Sequence, residues 1–143
     1  MLLLGTVNST TQTLDIDEPI NFGTVYRRYV KANCRPFELN GTSITLQSAG
    51  IYHLTAVITF TAPAAGDVTF QLFENGFANA NVFVTETVTT ATTETNTTTL
   101  DAYILVDNNN ILNTTSALKN ISIVNTGDAA TVTHVIVNID KVV

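Results

Sequence analysis

Two histidines and one short acidic cluster are the residues whose types could support chemistry in this chain. His53 and His134 lie in segments of alternating apolar residues, with no serine elbow, His-x-x-x-His pair or glycine-rich phosphate cradle beside them. Asp15, Asp17 and Glu18 could hold a hard cation through oxygen ligands. The glycine and distal glutamate of a calcium loop are missing there, so a solvated turn is the alternative. We therefore predict no enzymatic activity, no cofactor and no metal centre.

Charge excludes one class of partner and suggests another. Twelve acidic and six basic residues give a net charge of −6, which disfavours nucleic acid and anionic membranes. Four of the six basic residues fall in one short stretch, namely Arg27, Arg28, Lys31 and Arg35. They predict docking on an acidic partner surface. The alternative is an edge strand whose charges discourage pairing with other edges.

The cysteine content and the apolar start of the chain bear on assembly. Cys34 is the single cysteine, so an intrachain disulfide is impossible, and assembly in a reducing cytoplasm fits. Residues 2–4 (Leu2, Leu3 and Leu4) are apolar but too few for a signal peptide. We interpret residues 1–19 as an N-terminal arm or first strand, and Leu2 to Leu4 as a second docking candidate. No apolar window is long enough to predict a membrane span.

The elements that must position these residues are β-strands. Thr, Val and Ile together supply 52 of the 143 residues, and such side chains suit pleated sheets. Segments with period-two alternation are separated by Gly, Pro, Asn or Asp, as in a sandwich or barrel. We predict an all-β fold with eight to ten strands in a single domain over residues 20–143. An immunoglobulin-like sandwich is the rival, although the usual Trp and cysteine pair are missing.

Two of the predicted strands are apolar on both faces. In the segment of residues 51–60 one face is wholly apolar, and the other still carries Ile51 and Val57. The segment of residues 131–142 behaves in the same way, which is expected where both faces are covered. Copies of the chain could cover these second faces. The candidate subunit interface consists of Ile51, His53, Val57, Val132, His134 and Ile136.

Three segments resemble motifs of the C1q/TNF-like jelly roll. Residues 50–54 (Gly-Ile-Tyr-His-Leu) resemble the family's Gly-Val-Tyr strand start, and residues 70–76 (Phe-Gln-Leu-Phe-Glu-Asn-Gly) resemble a strand that closes in Asn-Gly. Residues 103–112 resemble the family's Leu-x-Leu-x-x-Gly-Asp strand and turn, with Asn109 and Asn110 in place of Gly-Asp. The resemblance covers residues 36–143. It implies a two-sheet Greek-key jelly-roll sandwich of the kind that forms compact trimers.

The resemblance also implies a function. Jelly-roll heads without a signal peptide, collagen stalk or disulfides are similar to bacteriophage decoration, head-fibre and tail-tip proteins. It thus implies a non-enzymatic structural protein, assembled in the bacterial cytoplasm and located in the virion. The implied partners are two further copies of the chain and a capsid or tail protein. The alternative is a module that binds a host receptor or glycan on a phage fibre or bacterial surface, through loops that include Phe77.

Overall fold

The computed structural model describes residues 2–31, 36–107 and 118–143, and within these ranges the regular structure is entirely β. Alternating apolar residues and turn-forming links define the strands, as the composition predicts. Twelve strands are present in the described ranges: β1 Leu2–Asn8, β2 Gln12–Leu14, β3 Glu18–Pro19, β4 Thr24–Tyr29, β5 Phe37–Asn40, β6 Ser43–Leu46, β7 Gly50–Thr61, β8 Gly66–Glu74, β9 Phe77–Val88, β10 Asn96–Val106, β11 Lys119–Asn125 and β12 Ala130–Lys141.

The strands form two antiparallel sheets. The first sheet has the order β10-β7-β12-β1-β4, with β2 beside β12. The second sheet has the order β5-β6-β11-β8-β9, with β3 beside β11. The chain crosses between the sheets several times, as from β6 to β7 and from β7 to β8. The two-sheet jelly-roll sandwich predicted from the sequence is confirmed.

The core lies between the inner faces of the two sheets. The alternating residues of β7 that point inward, from Tyr52 to Phe60, have no exposed surface. Residues of β8 pack against them from the second sheet, and the rings of Phe60 and Phe70 meet edge to face with centroids 5.3 Å apart. Burial of these side chains is the main force that holds the sheets together.

The sandwich has two distinct ends. At the proximal end β7 begins while β10 and β12 finish, and the Val142 N–H donates to the Ile51 carbonyl at 2.7 Å. At the distal end β7 finishes and a link of four residues leads to β8. The start of β1 also lies at the proximal end, because Leu2 pairs with Lys141.

The start of the chain is part of the first sheet. Strand β1 lies between β12 and β4, and the side chain of Leu4 is buried in the core with 2% of its surface exposed. Leu2 and Leu3 are half-buried. Leu4 is therefore unavailable for the docking role predicted from the sequence, because its side chain already packs inside its own chain.

One predicted interface residue is wrong. A register shift in the pairing of β12 with β7 falls between Val132 and His134. This irregularity breaks strict alternation, so Val132 faces the core and is fully buried, whereas His134 stays half-buried. Period-two counting from the sequence placed both residues on one face, since a bulge leaves no clear signal in composition.

Candidate interaction surface

The outer face of the first sheet brings together five of the six residues predicted for a subunit interface. The strand registers place Val57 beside Ile136. His53 lies on the same face of β7, nearer the proximal end, and Thr55 lies between it and Val57. His134 pairs with Thr59 on that face, toward the distal end. We call this surface, formed by the outward side chains of β10, β7, β12 and β1, the outer face.

The outer face exposes large apolar side chains near the proximal end. Tyr103 is 71% exposed, Leu105 is 57% exposed and Ile51 is 38% exposed. Val57 and Ile136 add half-buried apolar surface in the middle of the sheet. Tyr103 and Leu105 are not among the interface residues predicted from the sequence, although their alternation with Ile104 indicates that they point outward. Large exposed apolar side chains that cluster at one end of a sheet face, as Ile51, Tyr103 and Leu105 do, are found at protein–protein contacts.

His53 stands between two carboxylates on this face. Its Nε2 lies 2.6 Å from Oδ1 of Asp101 on β10, and its Nδ1 lies 3.7 Å from Oδ1 of Asp140 on β12. The ring also stacks on Tyr103, with centroids 4.8 Å apart and planes 23° apart. Three neighbouring strands thus assemble a polar cluster inside the apolar surface. The spacing of these residues in the sequence gives no sign of it, because only the strand register brings them together.

The second histidine lies elsewhere on the face and forms no common site with the first. His134 is near the distal end, where its Nδ1 lies 3.0 Å from Oγ of Ser9. No carboxylate pairs with it in the described ranges. His134 therefore behaves as an ordinary hydrogen-bonded histidine at the border of the face.

The predicted docking residues come together at the β1–β4 pair. Leu4 pairs with Arg28, and Gly5 pairs with Arg27. Arg27, Arg28 and Lys31 are exposed, and the guanidinium of Arg27 lies 5.8 Å from the centre of the Tyr26 ring. Arg35, together with Cys34, falls outside the described residues. The structure thus places Arg27 and Arg28 on an edge strand of the first sheet.

A groove of 560 Å³ separates that edge from the edge of the second sheet. Its apolar part comes from the buried residues Leu4 and Phe37 and the half-buried Leu39. Nη2 of Arg28 crosses the groove and donates to the carbonyl of Phe37 at 3.2 Å. We call this feature the β4–β5 groove; it is lined by Leu4, Gly23, Thr24, Val25, Arg28, Phe37, Glu38, Leu39 and Gln47.

Charge is distributed unevenly between the two ends. Lys119 begins β11 and Lys141 ends β12, so both lie at the proximal end, and Arg27 and Arg28 pair with the first half of β1. The distal end has no lysine or arginine among the described residues. Its acidic residues include Asp15, Asp17, Asp67, Glu94 and Asp128.

The acidic cluster of residues 15–18 forms a turn in the structure. Oε2 of Glu18 accepts a hydrogen bond from the Asp15 N–H at 3.0 Å, and the Asp17 N–H donates to the Asn125 carbonyl at 2.6 Å. Within residues 2–31, 36–107 and 118–143, no three His, Cys, Asp or Glu side chains are arranged to hold a metal ion. The same ranges contain no helix that is long and apolar enough to cross a membrane.

Comparison with known proteins gives a fold but no sequence family. No family model matches the chain, and no curated protein matches it. The structural alignment with the globular domain of zebrafish complement 1qA covers 100% of this chain and 98% of that domain, with a TM-score of 0.65 and 11% identity. The alignment with Eiger TNF from S. frugiperda covers 99% of this chain and 91% of the Eiger chain, with a TM-score of 0.59 and 14% identity. The alignment with the vertex protein P5 of PRD1 covers 99% of this chain and 97% of the P5 chain, with a TM-score of 0.58 and 14% identity.

These likenesses define the class of protein. The chain has the C1q/TNF-like jelly-roll fold, and the resemblance seen in its sequence motifs is confirmed. The match extends over the whole chain, including the first 35 residues, for which the sequence motifs gave no resemblance. At 10 to 14% identity the likeness extends to the fold alone.

Proposed function

We propose that this chain is a non-enzymatic structural protein of a bacteriophage particle, a homotrimeric jelly-roll head that decorates or docks on the capsid or tail. The observation that carries the proposal is the exposed apolar outer face, in particular Tyr103 at 71% exposure and Leu105 at 57%. Water contact with such side chains is unfavourable by roughly 25 cal/mol per Å² of apolar surface. A second copy of the chain removes that cost.

The position of Tyr103 and Leu105 favours a closed ring over a two-fold dimer. Both residues lie on β10, which is one of the two edge strands of the first sheet, whereas Ile136 lies in the middle of the same sheet on β12. The edge of one copy can therefore pack on the face of the next. A head-to-tail contact gives a ring when its rotation closes, and the trimers that the sequence resemblance implies set the number of copies at three.

The assignment to a particle rests on a fold neighbour. P5 is by its name a vertex protein, so this jelly roll does occur as a part of a virion. Further neighbours include a complement 1qA domain, Eiger TNF and murine APRIL, and none of these names describes an enzyme. The uneven charge of the sandwich fits docking as well, because the proximal end offers both the basic residues and most of the exposed apolar ones.

Charge substitution on the outer face tests the trimer. Tyr103→Glu places a carboxylate in the proposed interface, and Phe83→Glu is a matched control. Phe83 is 55% exposed and pairs with Gln71 on the outward side of the second sheet. We expect sedimentation velocity at micromolar concentration to show trimers for the original chain and for Phe83→Glu, and monomers for Tyr103→Glu. A stable monomer of the original chain would overturn the proposal.

Electron microscopy tests the particle. Virions produced with and without the gene for this chain should differ by discrete projections, and the purified chain should restore them when added back. If both kinds of virion look identical and neither binds the purified chain, the assignment to a particle is wrong even if the trimer forms.

A receptor- or glycan-binding module is the second candidate, because Phe77 is 79% exposed beside the Asn75-Gly76 turn. An exposed aromatic ring beside polar groups can stack on a sugar. On a glycan array this candidate predicts binding that Phe77→Ala abolishes and Phe83→Ala leaves intact. An array without signals, together with clear binding to the virion, eliminates it.

A further inference from the structure

The edge of β4 that faces away from β1 has no strand paired with it in the described residues. In the part of the chain that the structure describes, β4 pairs with β1 alone, and β4 is the last strand of the first sheet. All six of its residues, from Thr24 to Tyr29, are exposed. The backbone N–H and C=O groups along such an edge can pair with a further strand.

Side-chain pockets accompany this edge. The β4–β5 groove runs beside it, with buried Leu4 and Phe37 beneath and Val25 at the side, 41% exposed. An added strand would point every second side chain toward the groove. Val25 and the half-buried Leu39 offer apolar contacts there, whereas Leu4 and Phe37 form a closed floor that Arg28 reaches across to the Phe37 carbonyl.

The basic residues beside the edge of β4 determine which charge an added strand should carry. Arg27, Arg28 and Lys31 form no ion pair with any carboxylate in residues 2–31, 36–107 and 118–143. Two β4 edges from different copies would bring these cations together, so the edge resists pairing with itself. A strand that carries carboxylates meets complementary charge instead. The same residues that oppose self-association thus favour an acidic partner.

We infer that β4 accepts an extended acidic segment of another protein as an additional strand of the first sheet, with its apolar side chains in the β4–β5 groove. The inference rests on the proposed function only in that the chain docks on another protein. It identifies the chemistry of that contact, which is an extended segment with alternating carboxylate and apolar side chains. The trimer interface on the outer face is a separate contact.

The probe is a fluorescein-labelled peptide of alternating glutamate and valine, long enough to span β4. Fluorescence anisotropy with the full chain should show saturable binding that weakens with added salt. A peptide of the same sequence with methylated backbone nitrogens tests the main-chain hydrogen bonds and should bind at least about tenfold more weakly. A peptide with glutamine in place of glutamate tests the charge and should also bind more weakly.

Two chain variants with the same change of net charge locate the site. Arg27→Glu reverses a charge on β4, whereas Lys141→Glu reverses one at the end of β12, two strands away. We expect Arg27→Glu to weaken binding of the acidic peptide about tenfold and Lys141→Glu to change it by less than about threefold. Amide hydrogen exchange should slow in Thr24–Tyr29 when the peptide is bound.

Several results would overturn the inference. These are no saturable binding at millimolar peptide, equal affinity of the methylated peptide, or equal effects of the two charge reversals. Sedimentation velocity on the same samples separates this failure from a failure of the proposed function. If the chain is a trimer that does not bind the peptide, strand addition is refuted and the trimer stands. If the chain is a monomer that binds the peptide, the trimer is refuted and strand addition stands.

Discussion

Nε2 of His53 lies 2.6 Å from Oδ1 of Asp101, and the two residues occupy adjacent strands on the outer face of the first sheet. Their side chains are 31% and 58% exposed. A pair with this much solvent contact contributes about 1 kcal/mol or less. If a second copy covers the outer face, water leaves and the same pair interacts more strongly.

The first prediction concerns that difference. A double-mutant cycle with His53→Ala and Asp101→Ala, measured on the dissociation of the oligomer, should give a coupling energy greater than about 1 kcal/mol. The physical reason is the lower dielectric of a covered interface. A coupling energy near zero would mean that the pair remains in water and that the interface lies elsewhere.

The second prediction concerns pH and the link between β9 and β10. The backbone N–H of Thr89 donates to Oε2 of Glu94 at 2.9 Å, and this bond is the main reason that the pKa of Glu94 lies below its usual value of 4.5. Partial burial acts in the opposite direction, and the Thr89 hydroxyl adds a second bond at 3.1 Å. The stabilisation is therefore present above pH 4.5 and is lost as the pH falls through the lowered pKa.

Carboxyl carbon NMR measures this effect directly. The Glu94 resonance should titrate with a midpoint below 4.5, and exchange of the Thr89 amide should accelerate over the same pH range. Glu94→Gln should remove that pH dependence from the Thr89 amide. A midpoint at or above 4.5 would contradict the hydrogen-bonded geometry.

The third prediction concerns a buried phenol. The hydroxyl of Tyr52 donates to the Ser48 carbonyl at 2.7 Å, and the ring of this fully buried residue meets Phe37 edge to face at 5.8 Å. Tyr52→Phe keeps the ring but removes the hydroxyl that donates to the Ser48 carbonyl. We therefore expect this change to lower the free energy of unfolding by about 1 kcal/mol. Tyr29→Phe, at a residue that is 60% exposed, is the control and should change stability little. Urea denaturation measures both variants, and equal stabilities would refute the role of this hydrogen bond.

The fourth prediction concerns a close approach over β1. A Cβ at Gly5 would lie 2.7 Å from Cε1 of Tyr26, whose hydroxyl donates to Oδ1 of Asn138 at 2.6 Å. Gly5→Ala should displace the ring, break that bond and destabilise the chain by about 1 to 3 kcal/mol. Tyr26→Ala removes the ring and leaves Oδ1 of Asn138 at 3.0 Å, so Gly5→Ala should cost less stability in the Tyr26→Ala background than in the original chain. If Gly5→Ala costs the same in both backgrounds, the ring is not the cause.

The fold class and the main core faces are predictable from the amino-acid sequence. The high content of β-branched residues and the alternation from Tyr52 to Phe60 and from Val135 to Ile139 predicted strands with one inner face, and these residues are buried. The alternating direction of side chains along a strand depends on local chain geometry alone, so period two is readable without knowledge of the neighbouring strands.

Contacts between distant residues, and the faces of several individual residues, depend on how the strands pack together. Pairing with β12 and β4 buried Leu4, a register shift turned Val132 inward, and three strands brought Asp101 and Asp140 to His53. Register and bulges depend on the packing of strands that are distant in the chain, and a one-residue slip exchanges the two faces. For that reason the outer face and the open edge of β4 became visible only once the sheets were assembled.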